Sequence, residues 1–251
     1  MPRFFVKEVA GQTAALHGEH AAHAVKSLRM REGEELTLCD EGAMDHRCVI
    51  TGISPDCVQL KVLESAPNAA ELPCRVSLYQ ALPKGDKLET IVQKAVELGV
   101  YDITPVLTER CISRPDEKSM HKRVERLNKI ALEAAKQCGR GVIPKVHGVI
   151  SLKEALARMK QAAVPILCYE GGGEDLGTLL GRSSCETIAV CIGSEGGFSP
   201  AEAEQAKGMG IAAATLGRRI LRTETAPLFA LSVVSFLLEN GRQCDPTPLE
   251  L

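Results

Sequence analysis

Two glycine-bearing segments carry the residues best placed to do chemistry: Ile192-Gly193-Ser194-Glu195-Gly196-Gly197-Phe198-Ser199-Pro200 and Leu216-Gly217-Arg218-Arg219-Ile220-Leu221-Arg222-Thr223-Glu224-Thr225-Ala226-Pro227. Each leaves an apolar run of strand character and enters a stretch of helical character, the junction where open parallel sheets build their ligand crevices. Glycines at 193, 196 and 197 remove the Cβ atoms that would keep a flat ligand off the backbone, and they permit positive φ. Ser199 reads as an N-cap, Pro200 suits the first helical position, and Glu202 completes a capping box, so a helix start is well marked. The glycine spacing is not G-x-G-x-x-G, and no Lys-Ser/Thr pair follows as in a P-loop. Nicotinamide and nucleoside triphosphate sites are therefore disfavoured.

Such loops need a sheet to stand on. From Cys74 onward strand candidates at Arg75–Ala81, Asp102–Leu107, 143–146, 165–169, Thr187–Ile192 and 212–216 alternate with helical patterns, which points to βαβ units and a parallel sheet. Leu88, Ile91, Val92, Ala95 and Val96 form one apolar helical face that Gly99 stops. Residues 1 to about 70 read instead as a small all-β unit, with strands at 4–6, Glu35–Cys39, 46–53 and 57–63 and one short helix over 20–29. The proline-bearing stretch 65–73 reads as the connection, giving domains at 1–70 and 74–251. The last helix, after Pro227, is apolar on nearly every side: Leu228, Phe229, Leu231, Val233, Val234, Phe236, Leu237 and Leu238. A second copy of the chain is the simplest cover for the face its own core cannot use, so a homodimer is expected.

The chain has 251 residues and a formal charge of −2, yet residues 103–145 hold ten Lys/Arg against five Asp/Glu. That local excess suits a polyanionic partner, although a solvated helix face would look the same. Ten cysteines without one C-x-x-C pair argue for reduced thiols in a cytosolic protein, with Cys39, Cys48, Cys57 and Cys191 as small core residues. The first residues, Met1-Pro2-Arg3-Phe4-Phe5-Val6, are too soon charged for a secretory signal, and no apolar run approaches the roughly 18 residues needed to cross a bilayer. His17, His20 and His23 recur every third residue, but that step falls short of a helical turn and the outer pair diverges. No metal site is expected.

Taken together, Met1-Pro2-Arg3-Phe4-Phe5, His20 with Leu28-Arg29, Gln80-Ala81-Leu82-Pro83-Lys84-Gly85-Asp86-Lys87, Lys94-Ala95-Val96-Glu97-Leu98-Gly99, Glu109-Arg110, Glu133-Ala134-Ala135-Lys136-Gln137-Cys138-Gly139-Arg140 and the two glycine loops resemble the knotted SPOUT methyltransferases. Within them the likeness is to the bacterial 16S ribosomal RNA uridine N3-methyltransferases. The resemblance implies an α/β fold: a C-terminal SPOUT domain with a parallel sheet and a deep trefoil knot, plus a small N-terminal PUA-like β-barrel that binds RNA. It also implies dimerisation, S-adenosylmethionine as cofactor, and 16S ribosomal RNA in the 30S subunit as substrate.

By the same resemblance three loops hold the cofactor, through Leu167, Tyr169 and Glu170; through Gly193, Glu195, Gly196 and Gly197; and through Leu216, Gly217, Ile220, Leu221, Arg222, Thr225 and Ala226. N3 of uracil is a poor nucleophile until its proton leaves, which asks for an anion stabiliser or a base. Arg222 is the candidate stabiliser. Glu195 and Glu224 are candidate bases, although Glu224 also suits the start of a helix. Arg3, Arg29, Lys84, Lys87, Arg110, Gln137 and Arg140 are the candidate RNA contacts; the last three could equally form a structural polar network. A knotted ribose 2′-oxygen methyltransferase and a non-catalytic RNA-binding assembly factor remain the alternative readings.

Overall fold

The computed structural model describes residues 1–181 and 186–240; Cys185, Cys244 and the expected domain limit at 251 lie outside them. The chain divides into two compact units, one of Met1–Glu71 with Ala135–Val142, the other of Leu72–Ala134 with Ile143–Leu251.

In the first unit β1 (Arg3–Phe5), β2 (Thr13–His17), β3 (Glu35–Cys39), β4 (Met44–Ser54) and β5 (Cys57–Pro67) form one sheet in the order β1-β3-β4-β5-β2. Only β1 and β3 run parallel. No ladder joins β1 to β2, so the expected barrel is a five-stranded sheet, bent where β4 shifts register at Arg47/Cys48 and Ile50/Gly52. The expected helix over 20–29 divides into α1 (Gly18–Ala22) and a π-helical turn (His23–Ser27). His17 ends a strand, while the rings of His20 and His23 pack edge-on against the buried Phe4. Phe4, Leu16, Leu36, Leu38, Ile50 and Leu60 centre this core.

The second unit carries α2 (Lys87–Glu97), most of α3 (Glu117–Cys138), α4 (Leu152–Met159), α5 (Leu176–Gly181), α6 (Pro200–Gly208) and α7 (Thr225–Asn240) around eight strands. These are β6 (Arg75–Ala81), β7 (Asp102–Leu107), β8 (Lys145–Val146), β9 (Ile150–Ser151), β10 (Val164–Cys168), β11 (Glu174–Asp175), β12 (Thr187–Ile192) and β13 (Ala212–Thr215). They run in the order β11-β13-β10-β12-β6-β7-β8, with β9 also on β7, and every pairing is parallel. Leu152, Leu156, Met159, Phe198, Ala206 and Ile211 cover one face, packed on Tyr79, Val106, Leu167 and Cys191. α7 packs against α2, α5 and β12, burying Ala230, Leu231 and Val234 and leaving Phe229 and Phe236 exposed.

The strand expected at 143–146 begins only at Lys145. Just before it, the backbone N–H groups of Gly141 and Val142 donate to Glu71 Oε1 at 2.8 and 3.0 Å. The same carboxylate binds Arg140, and Asn68 donates to the Gly139 carbonyl at 2.9 Å. These bonds draw residues 135–142 into the N-terminal unit, although the sequence groups them with the later domain.

Candidate functional site

β10 lies between β12 and β13, and the chain leaves the same end of all three strands into loops. Those loops enclose a cleft of about 330 Å³. Cys168, Tyr169 and Glu170 supply the first wall, Ile192 to Gly197 the second, and Thr215 to Leu221 with Thr223 and Ala226 the third. A crevice beyond the carboxyl ends of parallel strands is where this architecture binds ligands. The Tyr169 N–H donates to the Ala214 carbonyl at 2.9 Å, tying the first loop to β13.

The middle loop turns tightly, Gly197 N–H to Ser194 O at 3.0 Å. Gly197 has φ +64°, and a Cβ there would lie 2.0 Å from Glu170 Oε1. At Gly196 a Cβ would stand 2.9 Å from the Cβ of Arg110. Main chain therefore reaches the cleft wall only because side chains are absent. The expected capping box is present: Ser199 N–H to Glu202 Oε2 at 2.9 Å and Glu202 N–H to Ser199 Oγ at 3.3 Å, with Pro200 opening α6. Glu202 Oε1 also accepts the Glu109 N–H at 2.7 Å, which sets the turn from which Arg110 Nη1 donates to the Gly196 carbonyl at 3.0 Å.

Two further braces hold the loops. Thr223 Oγ1 donates to the Gly193 carbonyl at 2.9 Å, and Gln80 Nε2, from the end of β6, lies 3.3 Å from Thr223 Oγ1 and 3.5 Å from the Gly193 carbonyl. At the outer side Lys87 Nζ bridges Glu195 Oε1 at 3.0 Å and Glu224 Oε2 at 3.1 Å. The backbone N–H of Lys84 also donates to Glu195.

Burial pushes the Glu195 carboxyl up, but hydrogen bonds from Lys87, its own N–H and Lys84, with the Lys87 charge, hold it below the usual range. Glu224 is lowered first by its own N–H, then by Lys87 and by the charges of Lys87 and Arg222, against a smaller opposing effect of burial. Both glutamates are thus ionised and weakly basic. Burial moves the Cys168 thiol the other way, to about 12. It faces the cleft as a protonated thiol.

The structure redistributes several expected site residues. Leu167 turns its side chain into the core beneath α4 and α6, because neighbours in a strand point to opposite faces, and Cys168 lines the cleft instead. Tyr169, Glu170, Gly193, Glu195, Gly196, Gly197, Leu216, Gly217, Ile220, Leu221 and Ala226 line it; Arg222 and Thr225 do not, although the Arg222 carbonyl accepts the first free N–H groups of α7 from Thr225 and Ala226. Arg140 is 2% exposed and bound to Glu71 by Nε at 2.9 Å and Nη2 at 2.7 Å, so it is an internal ion pair rather than a surface contact. Arg3 is likewise taken up by Asp45. Arg29 and Gln137 are exposed on the N-terminal unit. The expected site omitted Cys168, Ile192, Ser194, Thr215, Arg218, Arg219 and Thr223 in the cleft and Gln80 behind it. Ile192, Ser194, Arg218, Arg219 and Thr223 fall within the two loops already singled out, a signal that Cys168, Thr215 and Gln80 lack.

A mixed β unit followed by an all-parallel sheet with a cleft over three adjacent strand ends defines the class. Residues 70–235 match the family model described as an RNA methyltransferase domain, and residues 16–63 that of an RNA methyltransferase PUA domain. Among curated relatives, ribosomal RNA small subunit methyltransferase E of Bacillus subtilis is 35% identical, covering 95% of this chain and 98% of its own. A crystal structure of the protein of that name from Neisseria gonorrhoeae, bound to S-adenosyl methionine, superposes with a TM-score of 0.83 at 34% identity, over 94% of this chain and 98% of that one. A methyltransferase from Legionella pneumophila in complex with the same cofactor gives 0.79 at 32% identity, over 92% and 96%. The chain belongs to the ribosomal RNA small subunit methyltransferase E family.

Proposed function

We propose that this protein transfers the methyl group of S-adenosylmethionine to N3 of a uridine in 16S ribosomal RNA, on the assembled 30S subunit, as a cytoplasmic homodimer. The observation that carries the reading is the cleft over β10, β12 and β13, walled largely by main chain. Its size suits a small ligand. Ile192, Leu216, Ile220, Leu221 and Ala226 offer apolar surface for an adenine ring, and the glycines of the 193–197 loop bring N–H and C=O groups within reach of its edge. The protonated Cys168 does not compete for the methyl group. The donor set therefore fits.

When bound, the cofactor supplies an electrophilic methyl group on a sulfonium. The protein's part is to bind the uracil with N3 facing that methyl and to carry the negative charge left when the N3 proton departs to solvent water. We assign charge stabilisation to Arg222, whose guanidinium is exposed beside the third loop and always charged. Glu195 and Glu224 share the Lys87 ammonium, which suits them to hold the loops together more than to accept a proton. Lys84 and Arg110 are the favoured phosphate contacts of this unit, and Arg29 and Gln137 those of the PUA unit.

Phe229 and Phe236, exposed on α7 at 41% and 60%, support a dimer through that helix, which a light-scattering mass of two chains checks. The threaded knot is proposed for the C-terminal unit on family likeness.

The test exposes undermethylated 30S particles and naked 16S RNA to enzyme and labelled cofactor, then analyses nucleosides by mass spectrometry. Methyl on the base supports the reading; methyl on the ribose favours a 2′-oxygen enzyme, and cofactor binding without transfer a binding factor. Arg222→Ala should lower transfer by about 100-fold or more while cofactor affinity persists. Full transfer by that variant refutes the electrostatic role.

A further inference from the structure

Gln80 occupies a costly position. It ends the β6–β12 ladder opposite Ile192, and its side chain is fully enclosed. The carbonyl of Gly193 is the next along, beyond the last strand pair, and needs a partner from elsewhere. Thr223, 30 residues later in sequence, provides it, donating from Oγ1 at 2.9 Å. The threonine hydroxyl needs a donor in turn, and Gln80 Nε2 stands 3.3 Å away, 143 residues earlier in the chain, while also donating to the neighbouring Ala81 carbonyl at 3.1 Å. The direct approach of Nε2 to the Gly193 carbonyl, at 3.5 Å, is at the limit of a hydrogen bond. The relay therefore runs from Gln80 through Thr223 to Gly193. The other end of the same amide, Oε1, is buried and has no hydrogen-bond partner among the described residues.

An unpartnered buried carbonyl oxygen costs stability, and methionine, of similar length, would fill this space without that cost while giving up the local bond to the Ala81 carbonyl. For the fold alone, Gln80 thus has little advantage over methionine. What the amide provides is a donor aimed at the point where two of the three cleft loops meet, since Gly193 and Thr223 both line the cleft.

We infer that Gln80 and Thr223 are positioning residues for the cofactor: their relay sets the separation of the 193–197 loop from the 216–223 loop, and with it the width of the slot between them. The inference rests on the cofactor reading above. Neither side chain touches the reacting atoms; each acts through the Gly193 backbone.

The test uses full-length protein and compares Gln80→Met, Thr223→Val, Thr223→Ser and the Gln80→Met/Thr223→Val double variant. S-adenosylmethionine affinity is measured by calorimetry, and unfolding is followed without ligand. Gln80→Met should weaken cofactor binding about tenfold while its Tm stays within about 2 °C of the parent or rises. Thr223→Val should weaken binding comparably and Thr223→Ser should restore it. The double variant should bind no worse than the weaker single one, because one relay is broken twice. Unchanged affinity in Gln80→Met and Thr223→Val overturns the inference, as does a loss that follows Tm and that Thr223→Ser fails to rescue. Should Gln80→Met not fold, Thr223→Val against Thr223→Ser decides. A parent protein that takes up no cofactor overturns the cofactor reading itself, an outcome distinct from a binding parent with indifferent variants.

Discussion

Replacing Arg140 by methionine distinguishes an internal ion pair from an RNA contact. The guanidinium holds Glu71 through two bonds, and Glu71 Oε1 also takes the N–H groups of Gly141 and Val142. Removing one partner of a buried pair costs about 3–5 kcal/mol when the other is left bare. In Arg140→Met the carboxylate keeps both amide donors and a side chain 20% exposed, so the expected loss is about 2–3 kcal/mol. For a chain of this length that lowers Tm by about 5–10 °C.

The pH dependence follows from Glu71. Burial raises its proton affinity, but the hydrogen bond and charge of Arg140 and the two amides outweigh it, leaving the carboxyl below its usual range. A carboxylate depressed by folding contributes stability that is present above its unfolded pKa, about 4.3, and is lost as pH falls through the folded value. In Arg140→Met burial is opposed by the amides alone, so the Glu71 pKa moves up toward its unfolded value and the variant, already less stable at neutral pH, loses less further stability on acidification than the parent does. Melts followed by circular dichroism across the acid range measure both effects, beside RNA titrations at several salt concentrations. An unchanged Tm, with a salt slope reduced by about one, would refute the internal role and return Arg140 to the RNA surface.

Gly197→Ala should cost about 1–2 kcal/mol for placing a side chain at φ +64°. Glu170 is exposed and can swing away from the new methyl, so the fold survives while cofactor affinity drops by about tenfold or more as the slot narrows; parent-like Tm and affinity together would contradict this. Cys168, raised to about 12, and Cys191, raised well above its ordinary value, should resist iodoacetamide at pH 8 in the native protein. The half-buried Cys57 should react before either in peptide mapping, and equal labelling of all three would show that burial does not protect the pair.

Thr187–Ile192 was legible because a strand buried on both faces reads as a nearly continuous apolar run, and Arg75–Ala81 and Asp102–Leu107, although polar residues interrupt them, also agree with observation to the residue. The α6 capping box was legible for a similar reason, since Ser199, Pro200 and Glu202 signal over one turn. β2 was missed because Thr13-Ala14-Ala15-Leu16-His17 has little strand character of its own and is held by its pairing with β5. Leu167 was expected in the cleft by resemblance, yet a single step along the strand decides between core and slot.

From the sequence alone came the identity of two of the segments that wall the cleft: the two glycine loops, the apolar runs feeding them and the helix start that follows each. All of these are properties of short stretches, written in backbone preference and periodicity. Only the tertiary structure decided which charges meet. It joined Glu195 to Glu224 through Lys87, turned Arg140 inward onto Glu71, and brought Gln80 to Thr223 across 143 residues. A side chain carries no local trace of a partner so distant, because that encounter is set by the order of strands in the sheet and by the burial that makes an unpaired charge or amide too costly to leave alone.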